Sequence, residues 1–244
     1  MTNSPILSVQ GVSRRFGNLV AVNKVSFDVR EGTITSLIGP NGAGKSTIFN
    51  LVTNYLSLTE GRVLFRGQRS DTLATQKIAH LGVARAFQIA RPFRGLTVHD
   101  NVKVGALFGR TGPREVESVI DDALRLTGLV HLAQAQASSL SIGHLRKLEL
   151  ARAVAARPTL LLADEPLAGL VPTESDEILA SFRALVARGT TVLLVEHDMV
   201  SVMKISDRVV VLDAGELIAD GTPQDVVQDP RVISAYLGQE ALER

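Results

Sequence analysis

Gly39-Pro40-Asn41-Gly42-Ala43-Gly44-Lys45-Ser46 is the stretch that decides the fold. It fits the pattern G-x-x-x-x-G-K-[ST], and its flanks fit too. Thr33–Ile38 is a short apolar run of strand length, and Lys45–Leu56 reads as a helix. Glycines at 39, 42 and 44 let the backbone turn tightly and aim N–H groups at phosphate oxygens. The helix start adds the positive end of a peptide dipole. Lys45 is expected to reach the β- and γ-phosphates of ATP, and Ser46 to ligate Mg²⁺, with Pro40, Asn41, Ala43 and Thr47 completing the binding run. A glycine-rich turn with a surface lysine would need neither flanking element.

A metal site needs a further acid. Leu160-Leu161-Leu162-Ala163-Asp164-Glu165 is an apolar strand ending in two carboxylates, and ligands of open parallel sheets sit at strand carboxyl ends. Asp164 is expected to support Mg²⁺ through water. Glu165, pointing elsewhere, is expected to act as general base toward the attacking water.

Working outward, Ile6–Gln10 and the alternation of Val25, Phe27 and Val29 read as strands, as do Gly61–Phe65, Gly82–Phe87, Thr191–Val195 and Val209–Leu212. Between them lies a helical stretch. Thr97 with Asp100 is a capping-box pattern, Glu115–Leu126 carries apolar residues at helical spacing, and His144–Ala156 is stopped by Pro158. Pro172–Arg188, Gln224–Gln228 and Arg231–Leu237 are further helices. Strands alternating with helices predict an α/β fold with a mixed or parallel sheet, an antiparallel N-terminal part, and a helical insert over approximately 91–157 in one domain spanning 1–244.

Composition narrows the partners. The chain has 244 residues, no cysteine and a net charge of +1. Disulfides and thiolate metal sites are therefore excluded. The charge balance gives no electrostatic case for nucleic acid. No apolar run approaches the roughly 18 residues that cross a bilayer, and the first residues lack a signal-peptide pattern, so a protein retained inside the cell is expected.

These motifs, in this order, resemble an ATP-binding subunit of an ABC transporter. Leu140-Ser141-Ile142-Gly143-His144, followed by LRKLELARAVAARP, sits at the position of the family's LSGGQ signature. Gln88 in ARAFQ corresponds to the Q-loop glutamine, which implies roles at the metal and the attacking water. His197 in LLVEHDM corresponds to the switch histidine, and Phe16 in RRFG to the aromatic that stacks on adenine. The resemblance implies that Ser141 and Gly143 clamp the γ-phosphate of ATP held by a partner cassette. It also implies an ATP-closed dimer, homo- or heteromeric, that drives separate membrane permease subunits at the cytoplasmic face of the plasma (inner) membrane.

Residues 78–104 and the tail DPRVISAYLG are similar to the branched-chain (hydrophobic) amino acid importers, whose complete systems include an extracytoplasmic substrate-binding protein. Related branches import urea or export lipopolysaccharide. Soluble ABC ATPases without a membrane partner usually carry tandem cassettes or a coiled-coil insert, and this chain has neither. Two departures from the family pattern stand out. His144 replaces the signature glutamine, and Val171 stands where the D-loop carries Asp or Asn. Both are expected to weaken a homodimer. Gln88, Ile89, Arg91, Pro92, Phe93 and Leu96 are expected to line the permease-docking groove, although Phe93 could instead pack the insert onto the core.

Overall fold

The protein is described by a computed structural model over residues 4–110 and 112–240. Its strands in chain order are β1 (Pro5–Phe16), β2 (Leu19–Arg30), β3 (Ile34–Ile38), β4 (Glu60–Phe65) and β5 (Gln68–Arg69). They continue as β6 (Val83–Ala86), β7 (Leu160–Asp164), β8 (Thr191–Val195), β9 (Arg208–Asp213) and β10 (Glu216–Gly221). The helices are α1 (Lys45–Val52), α2 (Thr75–Leu81), α3 (Val98–Phe108), α4 (Val116–Leu126) and α5 (Ile142–Ala155). They end with α6 (Pro172–Ala187), α7 (Met199–Ile205), α8 (Pro223–Val227) and α9 (Pro230–Glu240). The chain forms two compact units. One comprises Met1–Ile78 and Leu193–Arg244, the other Ala79–Val192.

The first unit carries an antiparallel sheet in the order β2-β1-β4-β5. Leu7 pairs with Val29 and with Phe65, and Val9 with Phe27 and with Val63, so each partner strand sends its apolar set to the same buried face. The same unit runs β3 parallel to β9, with β10 antiparallel on the far side of β9. All five residues of β3 are buried, as expected of a strand covered on both faces. The helix after it is shorter than its sequence suggests. α1 stops at Val52 because the Thr53 hydroxyl donates back to the Phe49 carbonyl, and Asn54 turns into the left-handed region at φ 52°. α2 has a single buried residue, Ile78, too weak a periodicity to be read from sequence.

The second unit pairs β6 with β7 in parallel, Val83 opposite Leu160 and Ala86 opposite Ala163. Its helices α3, α4 and α5 pack on one another. Thr97 caps α3, its hydroxyl accepting from the Asp100 N–H at 3.0 Å. α4 buries Val116, Val119, Ile120, Ala123 and Leu124, the stripe that the spacing predicts.

The α3–α5 contact depends on a missing side chain. A Cβ on Gly105 would overlap the Arg152 carbonyl, whereas a Cβ on Gly95 would meet nothing. Gly105→Ala must push the two helices apart, at a cost of about 1–3 kcal/mol. Urea unfolding should show that loss, with Gly95→Ala close to wild type as the control. Equal stability of the two variants would refute the close approach.

Candidate functional site

The glycine-rich loop leaves β3 in the first unit. Gly39 sits at φ 145°, and a Cβ there would overlap the Leu212 carbonyl, so the loop is seated directly on the end of β9. Gly44 caps α1 at φ 101°. The first N–H groups of α1, from Lys45 onward, have no intrahelical acceptor by helix geometry and form an anion-seeking end. Lys45 is buried, its ammonium donating to the Gly39 and Pro40 carbonyls at 2.6 and 2.9 Å. Asn41, Gly42 and Ser46 are exposed, Thr47 is half-buried, and Pro40 and Ala43 are buried.

Two further sequence candidates belong to this unit. Phe16 ends β1, 43% exposed as a residue, with the Arg14 guanidinium 4.6 Å from its ring centroid. It is a presented aromatic face and not a core residue. His197 follows β8 with an exposed ring. Its backbone N–H donates to the fully buried Glu196 carboxylate at 3.2 Å, which fixes the chain where the histidine emerges. Asp198 then caps α7, accepting from the Val200 and Ser201 N–H groups. Those bonds, the Ser201 hydroxyl bond first among them, hold its carboxyl below the usual range.

The second unit holds the two carboxylates. Asp164 ends β7 and is buried; its Oδ2 accepts from the Arg85 guanidinium at 2.5 Å, and its Oδ1, also buried, has no hydrogen-bond partner among the described residues. Glu165, one residue on, is half-buried with φ 45°, a conformation that costs an L-residue roughly 1–2 kcal/mol. After that turn its Oε2 accepts from the Gln88 amide at 2.5 Å. The structure thus gives the two acids different partners, Arg85 for Asp164 and Gln88 for Glu165.

Ser141 caps α5. Its Oγ accepts from the His144 N–H at 3.2 Å and lies 3.1 Å from His144 Nδ1. Gly143 is buried beneath the Glu174 carboxylate. Glu174 also accepts from the N–H of Val171, whose side chain is 55% exposed. Arg146 of α5 donates to the Ala168 carbonyl. The signature segment and the loop 166–171 are thus tied to each other inside one unit.

Sequence reasoning passed over Arg85, Glu149, Glu174 and Glu196. Glu149 lies on the buried side of α5, accepts from the Phe87 N–H at 3.4 Å and pairs with Arg152. Burial pushes its carboxyl up, against the opposing pull of Arg152. The available signal was an ionisable residue at an otherwise apolar position: Arg85 within VARA, Glu149 within LEL, Glu196 at the end of TVLLV.

This arrangement matches known proteins throughout its length. Residues 22–168 match the family model for ABC transporters, and residues 216–241 the model described as branched-chain amino acid ATP-binding cassette transporter. The high-affinity branched-chain amino acid transport ATP-binding protein LivG of Escherichia coli K12 is 43% identical, over 97% of this chain and 99% of its own length. BraF of Pseudomonas aeruginosa, with the same description, is 41% identical over 96% and 98%. The ADP conformation of an ATP-binding cassette of an ABC transporter superposes with a TM-score of 0.86 at 31% identity, covering 96% of this chain and 99% of that one. A dimeric post-hydrolysis cassette bound to ADP and Pi gives 0.79 at 25% identity over 89% and 98%. With a phosphate-type loop after β3, paired acids at the end of β7 and these likenesses over nearly its whole length, the chain belongs to the ABC transporter family, as an ATP-binding and ATP-hydrolysing cassette.

Proposed function

We propose that this cassette powers import of branched-chain or other hydrophobic amino acids through separate permease subunits. It would dock on them at the cytoplasmic face of the membrane and be supplied by an extracytoplasmic binding protein. The cargo reading rests on the relatives and on the C-terminal segment 216–241. Among the described residues no helix is long and apolar enough to cross a membrane, which fits attachment through a partner.

One observation carries the chemistry: the Glu165 carboxylate held at 2.5 Å by the Gln88 amide, next in sequence to a second acid that is paired with Arg85. In this reading Glu165 accepts the proton of the attacking water, and Gln88 orients both carboxylate and water. Lys45 and the N–H groups opening α1 hold the phosphates, Phe16 stacks on adenine, and His197 contacts the γ-phosphate. In the same reading Ser46, Asp164 and Gln88 are the oxygen donors to a hydrated Mg²⁺, and the buried Asp164 Oδ1, with no hydrogen-bond partner among the described residues, suits that role. Mg²⁺ there would neutralise charge on the β- and γ-phosphate oxygens. Ser141 and Gly143 would serve the nucleotide of a second cassette. The helical segment 91–157 would carry that signature as a subdomain.

Glu165→Gln keeps shape and loses the basic carboxylate. It should bind ATP normally and hydrolyse it about 10²–10⁴-fold more slowly in a phosphate-release assay. A rate within a few-fold of wild type would remove Glu165 from the role. Lys45→Ala should fail at nucleotide binding instead.

Val171 and His144 replace polar partners expected across a dimer. Light scattering of the Glu165→Gln chain with ATP should show little homodimer at micromolar concentration, and Val171→Asn should increase it. A stable homodimer without that substitution would contradict the heterodimer reading, in which a complementary ATPase completes the pair.

The docking reading gains from Phe93. The residue is 47% exposed, the Arg152 guanidinium lies 5.3 Å from its ring centroid, and the fully buried Asn101 bonds to its N–H and carbonyl, so the loop holds Phe93 on a fixed backbone. In proteoliposomes with the permeases encoded beside it and their binding protein, the chain should drive ATP-dependent uptake of labelled leucine, isoleucine or valine. Phe93→Glu should abolish uptake and assembly while sparing fold and basal hydrolysis. Uptake of urea alone would overturn the cargo, and a sharp fall in melting temperature would make Phe93 a packing residue.

A further inference from the structure

The carboxylate of Asp164 is gripped from one side only. Its Oδ2 takes the Arg85 guanidinium at 2.5 Å, with Asp164 4% exposed and the Arg85 side chain 10% exposed. Its Oδ1 is equally buried and has no hydrogen-bond partner among the described residues. Buried carboxylate oxygens are rarely left unbonded, so an orphan of this kind points to a group that completes it. Arg85 is fixed in turn, since its guanidinium stacks on the Phe87 ring at 4.7 Å from the centroid. The Phe87 backbone is held by Glu149, and the next residue, Gln88, holds Glu165. Residues 85–88 therefore grip both acids at the end of β7: a cation on Asp164, an amide on Glu165.

We infer that Arg85 is the positioning residue of the metal-supporting acid. By occupying Oδ2 it fixes the plane of the Asp164 carboxylate and leaves Oδ1 as the acceptor offered to the hydrated metal ion. This rests on the reading of Asp164 as the metal-supporting acid. Two effects compete here. The guanidinium's charge opposes a nearby divalent cation, while its hydrogen bond holds the carboxylate in one orientation. In a buried site an unpaired carboxylate turns toward whatever donor it can reach, so the loss of orientation outweighs the relief of repulsion. A lysine cannot substitute, because a point ammonium lacks the planar face that Phe87 holds.

The test uses the full-length chain with Mn²⁺ and ADP as probes. Mn²⁺ binding to the protein–ADP complex is followed by electron paramagnetic resonance, and ADP affinity is measured separately in EDTA. Arg85→Lys and Arg85→Gln should weaken Mn²⁺ binding roughly 10–100-fold while leaving metal-free ADP affinity unchanged. Phe87→Leu, which keeps Arg85 and removes the aromatic face beneath it, should shift Mn²⁺ binding the same way by less. That variant keeps the inference testable if the Arg85 variants fold poorly. Asp164→Asn must also weaken Mn²⁺ binding. If it does not, the reading of Asp164 fails. If it does and folded Arg85 and Phe87 variants bind Mn²⁺ as wild type, or more tightly, the positioning role of Arg85 is overturned. Parallel loss of ADP affinity with and without metal would also overturn it, showing a purely structural arginine.

Discussion

A strand covered on both faces has no water to solvate a charge, so charged chemistry has to wait until the chain leaves the sheet. β3, β7 and β8 are each buried at all five positions, and each is followed at once by polar or glycine-rich sequence. Gly39 begins the phosphate-type loop after β3, Glu165 follows β7, and Glu196 with His197 follows β8. The strands fix where these groups start, and the burial that stabilises the strands is what forbids the groups from starting earlier. Asp164 is the exception that tests the rule. It is still within the strand and buried, and it carries a guanidinium to offset the cost of its charge.

The second unit shows how such a site is held to a fixed geometry. The acids at the end of β7 are braced by Arg85 and Gln88, and the backbone between those two residues is held by Glu149 from the middle of α5. The same helix begins with the Ser141 cap and reaches the 166–171 loop through Arg146, while Glu174 covers Gly143 from the start of α6. A displacement of α5 would therefore be felt at the acids, at the signature serine and at Val171 together.

Local strain is placed where it is useful. Glu165 and the loop glycines occupy positive-φ backbone, and the Glu165 carboxylate meets the Gln88 amide directly after that turn. Lys45 shows the complementary device, a buried ammonium stored on its own loop's carbonyl oxygens.

By itself the sequence determined the fold class, the phosphate loop, the paired acids and the order of the family motifs. Each of these is local, written in apolar runs, glycine spacing and residues adjacent in the chain. The α4 stripe and the Thr97 cap were legible for the same reason. Only the tertiary structure decided what the isolated ionisable residues do. Arg85 meets Asp164 across 79 positions of chain, Glu149 meets Phe87 across 62, and Glu174 covers Gly143 from a different helix. No periodicity records such pairings, because they follow from strand register and helix packing. The same holds for the exposure of Phe16 and Phe93. A lone aromatic reads as core until the neighbouring backbone leaves its face uncovered.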